Sequence, residues 1–322
     1  MSENIVNKRS EIVFLYDVKD SNPNGDPMDE NKPRIDEETG INIVTDVRLK
    51  RTIRDYLHNF KSQDIFIIEE IKENGTQKTR EERISDLKIK GRNDEIKLLN
   101  KYIDLRLFGA TIALTAKERG AKGRSITWTG PVQFKFGRSL HEVEVKTIKG
   151  TTVMPSREEV TRGTFIETHI LPYSLIAFYG IINENAAKTT KLTEDDVNLL
   201  LDGIWNGTKN LITRSKVGQT PRFLLRVIYK EKNYHIGDLD KKLKISSSKR
   251  DTELRSISDL KLDITELIET LKDNAKKIDK IEYEVQRDVV FLYRDNEVKA
   301  AKIEDVLKEV ETTVEHLLLD QM

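Results

Sequence analysis

Residues 11–18 (EIVFLYDV) are almost continuously apolar, the pattern of a strand buried on both faces. The run stops at Ser21-Asn22-Pro23-Asn24-Gly25-Asp26-Pro27, a dense cluster of turn formers, and the polar stretch to Asn42 reads as a long loop. Thr45 can then cap a helix. Leu49, Ile53, Tyr56 and Leu57 recur at helical spacing, and the opposite face carries Arg48, Lys50, Arg51 and Arg54. Residues 62–100 are charged and weakly patterned, an insertion of mixed structure, and 102–114 predicts a helix. Residues 125–136 are strand-like around Gly130-Pro131. From 137 to 163, Val143, Val145 and Ile148 interleave with charged residues, as in an exposed hairpin with little core. Residues 164–182 predict strand with a break at Pro172. Thr193 caps a second helix through Val197, Leu200, Leu201 and Ile204, and 222–229 is a further strand.

The order strand, helix, strand, strand, helix, strand is that of the split βαβ, ferredoxin-like arrangement. The expected class is therefore α+β, an antiparallel sheet with two helices on one face. Many RNA-recognition modules share it and use the open face. Many unrelated proteins share it too, so the order alone names no function. After Lys230 the chain becomes densely charged with both signs. A helix is expected within 259–277, a short strand at 289–293, and a terminal amphipathic helix through Ile303, Val306, Leu307, Val310 and Val314.

Charge sharpens this picture. The 322 residues hold 55 basic and 55 acidic side chains, a net charge of zero. Yet residues 209–230 contain Lys209, Arg214, Lys216, Arg222, Arg226 and Lys230 with no acid, net +6. Residues 115–165 carry ten basic side chains against five acidic, and the tail 304–322 is net −5. Basic side chains beside the flexible Gly218 turn suit a phosphate-bearing partner. With no cysteine, disulfides and thiolate metal sites are excluded, which fits a reducing cytoplasm. The polar residues 1–10 do not form a signal peptide. The apolar run 170–182 falls short of the about 20 residues needed to span a bilayer, so no membrane association is expected.

Catalytic signatures are sparse. His58, His141, His169, His235 and His316 show no metal-ligand spacing, and no nucleophile elbow or P-loop is present. Asp17, Asp20 and Asp26 lie near the end of the first strand, where turn and capping roles suit them better than metal or base roles. Asn22, Asn24 and the backbone around Gly25 can instead approach a sugar-phosphate chain, with α-helical Arg48, Lys50, Arg51 and Arg54 adding charge. The apolar tip Thr151-Thr152-Val153-Met154-Pro155 can wedge between bases or pack on a neighbouring subunit.

In order along the chain, Asn22-Pro23-Asn24-Gly25-Asp26-Pro27, Pro33-Arg34-Ile35-Asp36 and Thr45 to Tyr56 resemble the backbone subunit of Cascade, the type I CRISPR surveillance complex of the RAMP superfamily. Arg106-Leu107-Phe108-Gly109, Gly130 to Phe134 and Arg214 to Arg222 continue the match, closest to the I-B and I-C branches. The resemblance implies an RRM-like palm over residues 1–230 with inserted fingers (about 62–125) and a thumb hairpin (about 138–162). A helical extension, 231–322, would pack on or next to the palm. It implies a non-catalytic, cytoplasmic subunit that polymerises along CRISPR RNA beside further copies and other Cascade subunits. Target DNA would be reached through the guide, with no metal or cofactor. RNA contact would fall on Asn22, Asn24, Arg48, Lys50, Arg51, Arg54, Arg214, Lys216, Gln219 and Arg222. Arg124, Arg138 and Arg157 of the basic middle segment would join them, with Met154 as the wedge. Two alternatives stay open: a metal-dependent RNA endonuclease of the type III kind using Asp26, and a protein-only scaffold.

Overall fold

The computed structural model describes residues 4–85, 87, 95–114, 124–151 and 165–319. It is a mixed α+β architecture with several sheets. The elements that position the site are β1 (Ser10–Ser21), β2 (Ile41–Val44), α1 (Asp46–Lys61), α2 (Ile103–Phe108), β3 (Gly109–Leu114), β4 (Arg124–Thr129), β5 (Val132–Phe134), β6 (Gly137–Glu142), β7 (Lys146–Thr151) and β8 (Phe165–Ile182). They continue with α3 (Glu184–Thr190), α4 (Glu194–Lys209), β9 (Thr220–Tyr229), β10 (Lys244–Ser246), β11 (Lys261–Asp263), α5 (Thr265–Asp273), β12 (Ile278–Val285), β13 (Val290–Tyr293), β14 (Asn296–Lys299), α6 (Ile303–Lys308) and β15 (Thr313–His316).

The main sheet runs β15-β12-β9-β1-β8-β6-β2, with β5 and β7 also pairing with β8. β1 is antiparallel to β8 (Phe14 opposite Phe178) and to β9 (Phe14 opposite Leu224). Its apolar run is continuous because both faces are covered. Ile12, Phe14 and Tyr16 join Ile53, Leu57, Leu200, Ile204 and Trp205 in one core beneath α1 and α4. Val13 and Leu15 point the other way, as strand alternation requires, into a core shared with Leu225, Leu262, Leu267, Ile281 and Phe291. The face opposite the helices is thus packed against residues of the C-terminal third. Many RNA-recognition modules use this face, but here its side chains are buried: Val13 and Leu15 in the core, and Glu11 and Asp17 bonded by the hydroxyls of Tyr179, Tyr229 and Tyr173.

Other expectations also change. Residues 102–114 do not form one helix. The helix ends at Phe108, and Gly109, at φ +66°, begins β3. A side chain at Gly109 would sit 2.2 Å from Trp128 O, so only glycine lets β3 pair this closely with β4. Pro172 does not break its strand. It lies opposite Asp20 (φ +46°), where the pairing skips one position between Lys19–Tyr173 and Ser21–Leu171 and the register is kept. The C-terminal third is not predominantly helical: β10, β11, β13 and β14 form a four-stranded sheet, and β12 and β15 extend the main one. Helix α6 stops at Lys308, Glu311 turns at φ +57°, and β15 runs parallel beside β12. Paired with β12, Val314 packs at the edge of the core, so the open strand edge overrides the helical spacing.

Candidate nucleic-acid interface

Three segments meet at the Ser21 end of β1. The Asn22 N–H and the Ser21 hydroxyl both donate to Ser215 O, at 2.9 and 2.7 Å. This pins the loop between α4 and β9 to the turn after β1. Asn24 Oδ1 accepts from both the N–H and the hydroxyl of Thr45, each at 2.9 Å, and the Thr45 hydroxyl accepts from Arg48 N–H at the start of α1. Gly25 is required inside the turn, because a Cβ there would lie 2.1 Å from Asn31 Oδ1. The result is a small cleft lined by Tyr16, Val44, Arg48, Thr52, Leu211 and Gln219.

Three cations around this cleft, Arg48, Arg214 and Lys216, have no carboxylate partner among the described residues. Among the described residues Arg214 is exposed with no ion pair, and Lys216 Nζ reaches only its neighbour Ser215 Oγ, at 3.3 Å. Arg48 bonds Thr52 Oγ1 at 3.0 Å. Burial lowers the affinity of both Arg48 and Lys216 for their protons, and the positive charge of Arg48 lowers Lys216 further. Buried polar atoms without partners include the donors Arg48 Nε and Gln219 Nε2 in the cleft and the acceptor Asn22 Oδ1 in the turn beside it. Such orphan groups are costly in a finished core. A phosphate chain would relieve the cationic repulsion, and side-chain adjustment would bring the donors to it.

The expected contact residues divide. Asn22, Asn24, Arg48, Arg214, Lys216 and Gln219 come together at the cleft. Asn22 is 2 % exposed and its Nδ2 donates to Asn31 O at 2.6 Å, so its part is architectural. Arg222 is half-buried and paired with Asp17 at 2.9 Å, while Asp17 also accepts from the Tyr173 hydroxyl. Lys50 pairs with Asp46 at 3.0 Å and reaches Gln133; Arg51 pairs with Asp55 at 2.7 Å on the exposed face. Arg54 turns inward, against the expectation of an RNA contact. Its Nε meets the fully buried Asp104 at 3.0 Å and its guanidinium lies over the Phe108 ring. Asp104 also accepts from the N–H groups of Phe66 and Ile67, so Arg54 is held within a buried network. Arg138 is exposed on β6, 3.4 Å from Asp36. Arg124 begins β4. Met154 and Arg157 lie outside the described residues.

Sequence reading missed Arg34 as a residue that braces the turn through Asp26. The turn signal around it was visible, but its proximity depends on the 2.7 Å contact of its Nη1 with Asp26. That contact and the Met28 N–H engage both oxygens of Asp26. Among the described residues no group of three or more histidine or acidic side chains could hold a metal, and no helix is long and apolar enough to cross a membrane.

Fold and cleft together define a mixed α+β protein with a cationic, donor-rich groove at one end of its main sheet. The family model described as CRISPR-associated protein Cas7 matches residues 8–265, and the chain belongs to this family. A Cas7 protein of Haloferax volcanii is 38 % identical over 294 residues, spanning 84 % of this chain and 85 % of the relative. Two solved structures share the fold. A chain of a CRISPR RNA-guided surveillance complex aligns with TM-score 0.50 at 13 % identity, covering 87 % of this chain and 90 % of the other. A chain of a pre-nicking CRISPR RNA-guided surveillance complex aligns with TM-score 0.52 at 11 % identity, covering 94 % and 100 %.

Proposed function

We propose that this protein is the CRISPR RNA-binding backbone subunit of a type I surveillance complex, closest to type I-B, and that it acts without catalysis in the cytoplasm. The observation that carries the reading is the cleft of a Cas7-family chain in which Arg48, Arg214 and Lys216 stand without carboxylates beside orphaned donors. Phosphates supply the missing acceptors, so binding is led by the backbone and neutral to sequence. Sequence recognition is left to pairing between guide and target DNA.

The strand order β9-β1-β8-β5, with α1 and α4 on one face, supports reading this part as an RRM-like palm. β7 is exposed at every position and pairs only with the start of β8, which supports a projecting thumb within about 138–162. The insertion at about 62–125 would be the fingers. Residues 231–319 would brace the palm from behind rather than form a separate helical extension. Further copies of the chain and other complex subunits are its protein partners.

Asp26, the candidate for RNA cleavage, has both oxygens engaged by Arg34 and the Met28 N–H, which favours a turn role. The test is to purify the chain with its native neighbours and sequence the bound nucleic acid. A uniform small RNA with constant flanks around variable inserts is expected. Absence of nucleic acid at low salt would overturn the proposal. Periodic cutting of complementary RNA, lost in Asp26→Ala, would overturn its non-catalytic part.

A further inference from the structure

The main sheet carries a second cationic surface at the pole opposite the cleft. β1 is 12 residues long, so its ends lie about 36–40 Å apart. The cleft is at the Ser21 end, and three segments distant in sequence converge at the Ser10 end. Tyr229 N–H donates to Arg9 O at 3.0 Å, and Lys230 N–H donates to Lys277 O at 2.8 Å. Asn185 of α3 donates to Asn233 Oδ1 at 2.6 Å, and Asn233 N–H donates to Glu184 at 2.9 Å. Lys277 Nζ lies 4.1 Å from the centre of the Tyr234 ring, whose hydroxyl donates to Asn274.

These contacts gather Lys188, Lys230, Lys232, Lys276 and Lys277 at one pole. All but Lys277 are exposed. Among the described residues Lys230, Lys232 and Lys276 have no side-chain partner. Lys8–Asp279 and Arg9–Glu184 cancel as pairs, leaving Glu231 and Asp273 as the exposed acids in these segments. Elsewhere in the same third of the chain, Lys242, Lys249, Lys261 and Lys272 each hold a carboxylate. Lys299 and Lys302 also stand without a side-chain partner among the described residues, so what marks this pole is the convergence of unpaired lysines from separate segments.

We infer that this pole contacts the phosphate backbone of duplex nucleic acid, independently of the RNA cleft. Lysines act on phosphates as point charges and read no base edge. The pole's aromatic side chain, Tyr234, is occupied by Lys277 and Asn274, so no stacking platform for a single strand is offered. A rigid duplex can lie across lysines drawn from three segments. Its capture would raise the local concentration of DNA without specifying sequence.

The test uses the full-length chain with its bound RNA and a short duplex DNA of unrelated sequence. Lys230→Gln, Lys232→Gln and Lys276→Gln are combined, and Lys242→Gln, Lys249→Gln and Lys261→Gln serve as a control of equal charge change. The pole variant should lose about tenfold or more in duplex affinity at about 50 mM salt, and its salt slope should fall by about 3. RNA content should stay unchanged, and the control should bind like the wild type. The inference is overturned if wild-type chain ignores the duplex at low salt, or if both variants weaken equally. It is also overturned if the pole variant keeps duplex affinity while losing RNA or a co-purifying protein. RNA-free wild-type chain would sink the guide reading but leave this measurement readable.

Discussion

The paired surface of the C-terminal third and the loop 211–219 both carry cations at the surface, but only the first neutralises them. In the C-terminal third, Lys242 meets Glu266, Lys261 meets Glu297, Lys272 meets Glu309 and Arg294 meets Glu269. In the tail, Glu304 is engaged by Lys308 and Glu315 by Lys280 in the same way. At the cleft, Arg214 and Lys216 have no such partner among the described residues. A binding surface is therefore marked by missing counter-charge, not by the number of charges. Arg54 makes the same point from within, because a cation on the expected RNA helix is already paired and buried.

Arg54 offers the largest effect. Arg54→Ala leaves Asp104 charged and buried with backbone donors alone. Stability should fall by about 3–5 kcal/mol, read by denaturant unfolding. Asp104→Asn should also destabilise the fold. RNA affinity should hold under conditions where the variant is still folded. A normal unfolding curve with weakened RNA binding would return Arg54 to the interface.

Replacing Arg48, Arg214 and Lys216 together by alanine should do the reverse. RNA affinity should drop by about 10- to 100-fold, alike for unrelated sequences, and the salt slope should fall by about 2. The melting temperature should move little, because these cations hold no carboxylate. A loss confined to particular RNA sequences would break the backbone-led reading.

Much of this was legible in the sequence. The buried run of β1, the two capped helices and the ordered turn motifs pointed to the α+β class and to a resemblance to the Cascade backbone subunit, which the Cas7 family match bears out. The basic loop and the Asn22 turn marked most of the cleft. Three things were not legible. Arg54 sits in the same basic helix stripe as Arg48, and only the fold brings Asp104 to it from residues far along the chain. The packing of 231–319 against β1 and β9 depends on long-range contacts that no local period reports. Val310 and Val314 keep helical spacing, yet the exposed edge of β12 draws Val314 into a strand.

His141 sharpens the comparison through pH. Its Nε2 accepts from Leu175 N–H at 3.2 Å, and Nδ1–H donates to Glu142 O at 2.9 Å, so the fold holds the neutral ring between β6 and β8. Burial lowers its pKa below the usual 6.5. A base whose folded pKa is depressed takes up a proton more readily when unfolded. Stability is then lost as pH falls below about 6.5, by at most about 1.4 kcal/mol per unit. His141→Gln should remove this slope while leaving the pH dependence of RNA binding unchanged. A slope unaltered in the variant would place the titration elsewhere.

The smallest effects should come from the paired surface of the C-terminal third. Lys261 is half-buried and Glu297 exposed, with both side chains open to solvent, so water screens the pair and each side chain keeps much of its freedom. Lys261→Ala and Glu297→Ala should each change stability by about 0.5 kcal/mol or less, and the double substitution should show little coupling. RNA affinity and its salt slope should match the wild type in all three. The contrast with Lys216 is the decisive reading, because a lysine is removed in both places and only one of them is paired. If Lys261→Ala weakened RNA binding as much as Lys216→Ala, missing counter-charge would no longer separate binding surface from solvated surface. Net charge at long range would then govern affinity.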